Sequence, residues 1–89
     1  MLKSELIETA ITQYRTYAET DPKLREQVDK AIDAIEDETI HAGMRRSANG
    51  KTTYYTLVNV PNRSQTYIIC WFIDHKRPAT AYIYIIKQL

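Results

Sequence analysis

Glycine is nearly missing from this chain: Gly43 and Gly50 are the only two. A loop that cradles phosphate on backbone N–H groups needs several glycines close together, so no such loop is encoded. Cysteine occurs once, as Cys70, which excludes an intramolecular disulfide and favours a reducing compartment, the cytoplasm. Cys70 stands inside an apolar run and reads as a small buried hydrophobe rather than a nucleophile. His41 and His75 are the only histidines and lie far apart in sequence. With one cysteine they make no zinc-type ligand set, and neither a metal nor a cofactor is expected. No motif supports a Ser/His/Asp triad. No apolar run approaches the roughly 18 residues of a membrane span, and no charged segment leads into an apolar one near the start. The expectation is a chain with no membrane segment and no signal peptide.

Acid is scarce in the second half. Residues 41–89 hold seven Lys/Arg and a single acid, Asp74, a balance of +6. Residues 1–40 hold five Lys/Arg against ten Asp/Glu, a balance of −5, and the two halves give the net +1. A chain polarised in this way can show a basic surface to an anionic partner while staying near neutral overall. The same pattern also lets acidic helices and a basic sheet attract each other within the fold. Composition leaves both open. At 89 residues the chain is one domain, with little stability margin.

Periodicity then divides the chain. Leu2, Leu6, Ile7, Ala10, Ile11, Tyr14, Tyr17 and Ala18 recur at three- and four-residue spacing and predict a helix from the very start. In "ETDP", Asp21 can cap and Pro22 fits a first turn, so a second helix follows through Leu24, Val28, Ala31, Ile32 and Ile35. It should fray at Glu36-Asp37-Glu38, where carboxylates oppose the helix dipole. After about residue 39 the period becomes two. Ile40, Ala42 and Met44 alternate with polar neighbours, and Asn49-Gly50 is a strong hairpin signal. "TTYYTLVNV" (52–60), "TYIICWFI" (66–73) and "ATAYIYIIK" (79–87) read as further strands. The turn "PNRS" and the loop "DHKRP" separate them. The predicted fold is α+β: two N-terminal helices packed on a four-stranded antiparallel meander sheet.

"TYIICWFID" is apolar on both faces. The expected assignment turns Ile68, Cys70 and Phe72 to the helices. Tyr67, Ile69 and Trp71 then fall on the far face with some of Tyr54, Tyr55, Tyr82 and Tyr84. A one-residue slip in register would exchange the faces. Two helices cannot cover both, so a partner is expected on the aromatic face, most simply a second copy in a two-fold dimer.

The remaining chemistry is basic and aromatic. His41, Arg45, Arg46, Lys51, Tyr54 and Tyr55 gather on the first hairpin, and Lys76 and Arg77 follow the third strand. Cleaving RNA needs a base for the 2′-hydroxyl, cations for the charged phosphorane and an acid for the leaving oxygen. His41 can serve as base or acid, and Arg45, Arg46 and Lys51 can hold phosphate. Tyr54, Tyr55, Tyr67 and Trp71 suit stacking of unpaired bases or contact with a protein, and Lys76 and Arg77 suit either anionic partner. For each of these residues the bland reading is an ordinary surface cation or a sheet-packing ring.

The element order, the helix text "LREQVDKAIDAIEDE" and the run "YIICWFID" before "AYIYIIK" resemble the small ribonuclease-toxin fold of RelE/ParE-type toxins and the barnase/EndoU/colicin group. That resemblance implies a metal-independent ribonuclease or an RNA-binding relative. RelE-like chains usually open with a strand, where this chain reads as helix, and their arginine after the strand's first aromatic falls on Ile68 here. Their basic, tyrosine-bearing tail has no counterpart in Lys87-Gln88-Leu89. The different class that also fits is a non-catalytic protein-binding module: an antagonist, an immunity protein or a phage-encoded inhibitor.

Overall fold

The computed structural model describes residues 3–37, 44–48, 51–74 and 79–89; of 44–48, 51 and 52 it describes the backbone. The order is β1 (Lys3–Leu6), α1 (Thr9–Thr20), α2 (Pro22–Glu36), β2 (Met44–Ala48), β3 (Lys51–Asn59), β4 (Thr66–Asp74) and β5 (Thr80–Gln88). The strands form one five-stranded sheet in the order β1-β5-β4-β3-β2. Strands β2 to β5 pair antiparallel in sequence order, and β1 pairs parallel with β5. The α+β class stands, but the sheet is mixed rather than a pure four-stranded antiparallel meander.

The opening residues correct the helix expected there. Leu2, Leu6 and Ile7 keep helical spacing, yet "KSEL" also alternates, and β5 needs a neighbour for its free edge. The Lys3 N–H donates to the Ala79 carbonyl and the Ile7 N–H to that of Ile83. Ser4 and Leu6 turn inward, while Lys3 and Glu5 are exposed. Ser4 Oγ donates to Glu36 Oε2 at 2.6 Å, which ties this edge strand to the end of α2. Four residues gain a ready-made ladder, and tertiary pairing overrides a short local preference. The helix begins only after Glu8, whose φ of 54° reverses the chain.

Elsewhere local signals hold. Asp21 accepts the Leu24 N–H with Pro22 in the first turn of α2, as its sequence implies. At the β3–β4 connection the Arg63 N–H reaches the Val60 carbonyl, with Pro61 first and Asn62 at φ 67°. That is a turn whose third residue must accept positive φ, which asparagine tolerates. The second oxygen of Asp21 accepts from Arg63 Nη1, so one carboxylate caps α2 and anchors this turn.

The hydrogen bond from Arg63, with help from the Leu24 N–H, lowers the Asp21 carboxyl below its usual value. The stabilisation is complete above the ordinary carboxylate range, about pH 3.9. Below that the unfolded chain takes the proton first, and the contribution is lost as pH falls through the lower folded value. Urea midpoints measured between acid and neutral pH should therefore fall less steeply in Arg63→Gln than in the parent. Parallel curves would show that the pair adds nothing.

The core lies between the helices and one face of the sheet. Ala10, Leu24, Val28 and Ile35 meet Val58, Ile69, Trp71, Ala81, Ile83 and Ile86. The faces of β4 are thus the reverse of the expectation. Tyr67, Ile69, Trp71 and Ile73 lie under the helices, and Ile68, Cys70 and Phe72 lie on the opposite face. Cys70 is half-buried there rather than part of the core. Trp71 is only 5% exposed, stacks on Tyr54 at 4.5 Å and donates its indole N–H to Thr56 Oγ1 at 3.0 Å.

A bulge keeps β5 in phase. Cys70 pairs with Ile85 but Trp71 pairs with Ile83, so Tyr84 is the extra residue. Ile83 and Ile86 both reach the core, although strict alternation would turn one of them out. Helix α1 secures the irregularity. Gln13 Oε1 accepts the Ile86 N–H at 2.8 Å, and Thr9 Oγ1 donates to the Tyr84 carbonyl at 3.3 Å.

Candidate nucleic-acid interface

Both helices pack on the same face of the sheet, so no described helix covers the other. That open face carries Tyr55 and Leu57 from β3, Ile68, Cys70 and Phe72 from β4, and Tyr82, Tyr84 and Ile85 from β5. Their arrangement follows from alternation with cross-strand pairing: Tyr55 is in register with Cys70, Leu57 with Ile68, and Phe72 with Tyr82. Phe72 is the centre of an aromatic group. Its ring centroid lies 5.5 Å from that of Tyr82 and 5.9 Å from that of Tyr84, at interplanar angles of 31° and 42°. Leu57, 45% exposed, marks the aliphatic end.

Charge is layered with the fold. Helix α1 and α2 carry most of the acids, with Glu19, Glu26 and Asp33 exposed on the helical side. Of the seven Lys/Arg in residues 41–89, Arg63 is paired with Asp21 at the start of α2, and Lys76 and Arg77 lie outside the described residues. On the open face Lys87 is in register with Ile68, and Lys3 lies at the outward position of β1. Glu5 and Asp74 are the acids at its margins.

The residues expected to act together are distributed as follows. His41, Lys76 and Arg77 lie outside the described residues, as do Asn49-Gly50 of the hairpin turn. Arg45 and Arg46 sit on β2, their backbones in register with Tyr54 and Thr53, and Lys51 is in register with Ala48. This puts the basic hairpin at the sheet edge farthest from β1. Of the aromatic candidates, Tyr55 stays on the open face. Tyr54, Tyr67 and Trp71 belong to the helix side, where Tyr67 meets Tyr17 edge-on at 6.0 Å. A dimer through Tyr67 and Trp71 is therefore corrected: the chain's own helices cover that face.

Phe72 is the functional candidate that sequence reasoning placed on the wrong side. The signal was present in "LVNV". Asn59 must turn outward and Val58 with Val60 inward, and a tight turn then sets Asn59 against Thr66. Counting from that pair puts Tyr67 inward and Phe72 outward.

A second polar group lies away from this face. Tyr14 Oη donates to Asp29 Oδ1 at 2.6 Å, and Arg25 Nη1 donates to Asp29 Oδ2 at 3.1 Å. The bond to Asp29, and then partial burial, push the Tyr14 phenol above its usual range. It clasps α1 to α2 and is structural. Among the described residues no cluster of His, Cys, Asp or Glu could hold a metal ion, and no helix is long and apolar enough to cross a membrane. Compared with family models, with curated proteins and with solved structures, the chain matches none.

Proposed function

We propose that this chain is a small toxin-type RNA-binding domain that holds a strand across the open sheet face, with the basic hairpin along the phosphates. The observation that carries the reading is an aromatic face that neither described helix covers, on a sheet built mostly from the basic half of the sequence, while most acids lie on the helices. Aromatic rings take unpaired bases and cations take the backbone, which is the usual division of labour on such surfaces. If the bound strand is cut, His41 supplies the proton transfer, and Arg45, Arg46 and Lys51 hold the phosphate.

The test is incubation of the purified chain with labelled single-stranded RNA, read for binding and for cleavage. Binding should weaken steeply as salt rises, because counterions are released from the strand. If cleavage occurs, His41→Ala should slow it by about 10²–10⁴-fold while binding persists. Absence of salt-sensitive binding, together with capture of one stoichiometric protein, would transfer the face to the competing reading of a protein-binding module. The exposed Leu57 beside Ile68 is the observation that favours that alternative.

A further inference from the structure

We infer that β1 is an exchangeable edge strand, which in concentrated solution leaves its own sheet and pairs with β5 of a second copy in a reciprocal two-fold dimer. The starting point is Glu8. The Ala10 N–H returns to the Ile7 carbonyl at 3.1 Å, so residues 7–10 form a turn with Glu8 in its first central position. Glu8 has φ 54° and ψ −133°, the conformation that a type II′ turn reserves for glycine. A residue with a Cβ enters that region only under strain. Asn62 also has positive φ, but asparagine tolerates it and glutamate does not. Only Ile7 and Glu8 connect Leu6 of β1 to Thr9 of α1. Short hinges under strain favour exchange, because the open form lets the strained residue return to negative φ. Glu8 is exposed, so it can rotate without uncovering core.

The described contacts that hold β1 are regained in full on a second copy. They are the Lys3 N–H on the Ala79 carbonyl, the Ile7 N–H on that of Ile83, Ser4 Oγ on Glu36 Oε2, and Leu6 against the core. Strand β1 stands at the end of the sheet, so its departure leaves the pairing of β2 to β5 intact. Helix α1 stays in place through Ala10 in the core, Gln13 on the Ile86 N–H and Thr9 on the Tyr84 carbonyl. Opening is thereby confined to residues before Thr9. It gives up the bond from Ala10 to Ile7, at a helix start where the first donors lack intrahelical partners in any case. One neutral hydrogen bond is no larger in net effect than the strain it is traded against, and a two-fold exchange relaxes two hinges. No new complementary surface is needed. That is why the occupant of the vacated β5 edge is the same strand from another copy and not an unrelated segment.

The experiment compares the full chain with Glu8→Gly and Glu8→Pro by sedimentation, after refolding from urea at micromolar to millimolar concentration. Glycine keeps the closed hinge without strain, so Glu8→Gly should melt at a higher temperature and weaken the dimer by about tenfold or more. Proline cannot reach positive φ, so Glu8→Pro should strengthen the dimer by about the same factor. A disulfide reports the route. Lys3→Cys and Thr80→Cys stand in register on neighbouring strands, and Cys70→Ser removes the competing thiol. Oxidised at high concentration and run on a non-reducing denaturing gel, this variant should give covalently joined pairs of chains. Oxidised when dilute, it should close within one chain. A dimer whose disulfide stays within one chain overturns the exchange, and so do monomers at every concentration. A Glu8→Gly variant that melts no higher than the parent and associates equally well overturns the strained hinge. If Glu8→Pro does not fold, Glu8→Gly and the disulfide decide the matter between them.

Discussion

Trp71→Ala should cost about 3–5 kcal/mol, the range for truncating a fully packed large aromatic. A chain of 89 residues has a total stability of roughly 4–13 kcal/mol, so this one change removes a large part of it. The size of the effect follows from where Trp71 sits. It is 5% exposed, lies flat against Tyr54, and satisfies its N–H on Thr56. Truncation leaves a cavity between β3, β4 and the helix layer that the surrounding strands cannot close. Trp71→Phe should cost much less, because the stack on Tyr54 survives and only the indole bond is lost. Urea denaturation checks this: the midpoint should fall sharply at an unchanged slope. Light scattering on the folded variant should show the same association state as the parent. An unchanged midpoint with altered association would mean that Trp71 lies at an interface and that the packing described above is wrong.

Gln13→Leu should cost about 1–3 kcal/mol, although it replaces a polar side chain with an apolar one of similar size. The reason is the end of the β1 ladder. Strand β1 pairs with β5 only as far as Leu6 opposite Ile83, and three residues on the Ile86 N–H donates to Gln13 Oε1 of α1 at 2.8 Å. Ile86 itself is fully buried, so a lost acceptor leaves a backbone donor with no water to replace it. Gln13→Glu keeps an acceptor oxygen at the same reach and should recover most of the loss. Amide exchange gives the local readout: the Ile86 amide should be protected in the parent and in Gln13→Glu, and should exchange much faster in Gln13→Leu. Equal protection in all three would show that the Ile86 amide needs no support from the helix.

Both effects depend on which side of the sheet a residue faces, and this is where sequence and structure part. The helices are legible because their signals are local and redundant: the apolar spacing of Leu24, Val28 and Ile35, the Asp21 cap and Pro22 in the first turn. The Pro61-Asn62 turn and the existence of strands β2 to β5 are legible for the same reason. So is the charge division between helices and strands, since it needs only counting.

The open face was half legible. Tyr55, Tyr82 and Tyr84 could be named as candidates, but "TYIICWFID" is apolar on both sides and carries no preference between them. Its phase is set by long-range pairing, from Asn59 with Thr66 at one end of β4 to Asp74 with Thr80 at the other. The opening strand was hidden because four residues are too few to show a period, and β1 exists only where the edge of β5 is there to receive it. The bulge at Tyr84 was hidden because Ile83, Ile85 and Ile86 are all apolar, so their order alone does not show where alternation breaks. The amino-acid sequence by itself therefore determined the helices, the turn between β3 and β4, the strand-forming segments and the polarity of charge. Only the tertiary structure decided which aromatics are core and which lie on the face away from the helices, because a strand's two faces differ solely by what packs against them.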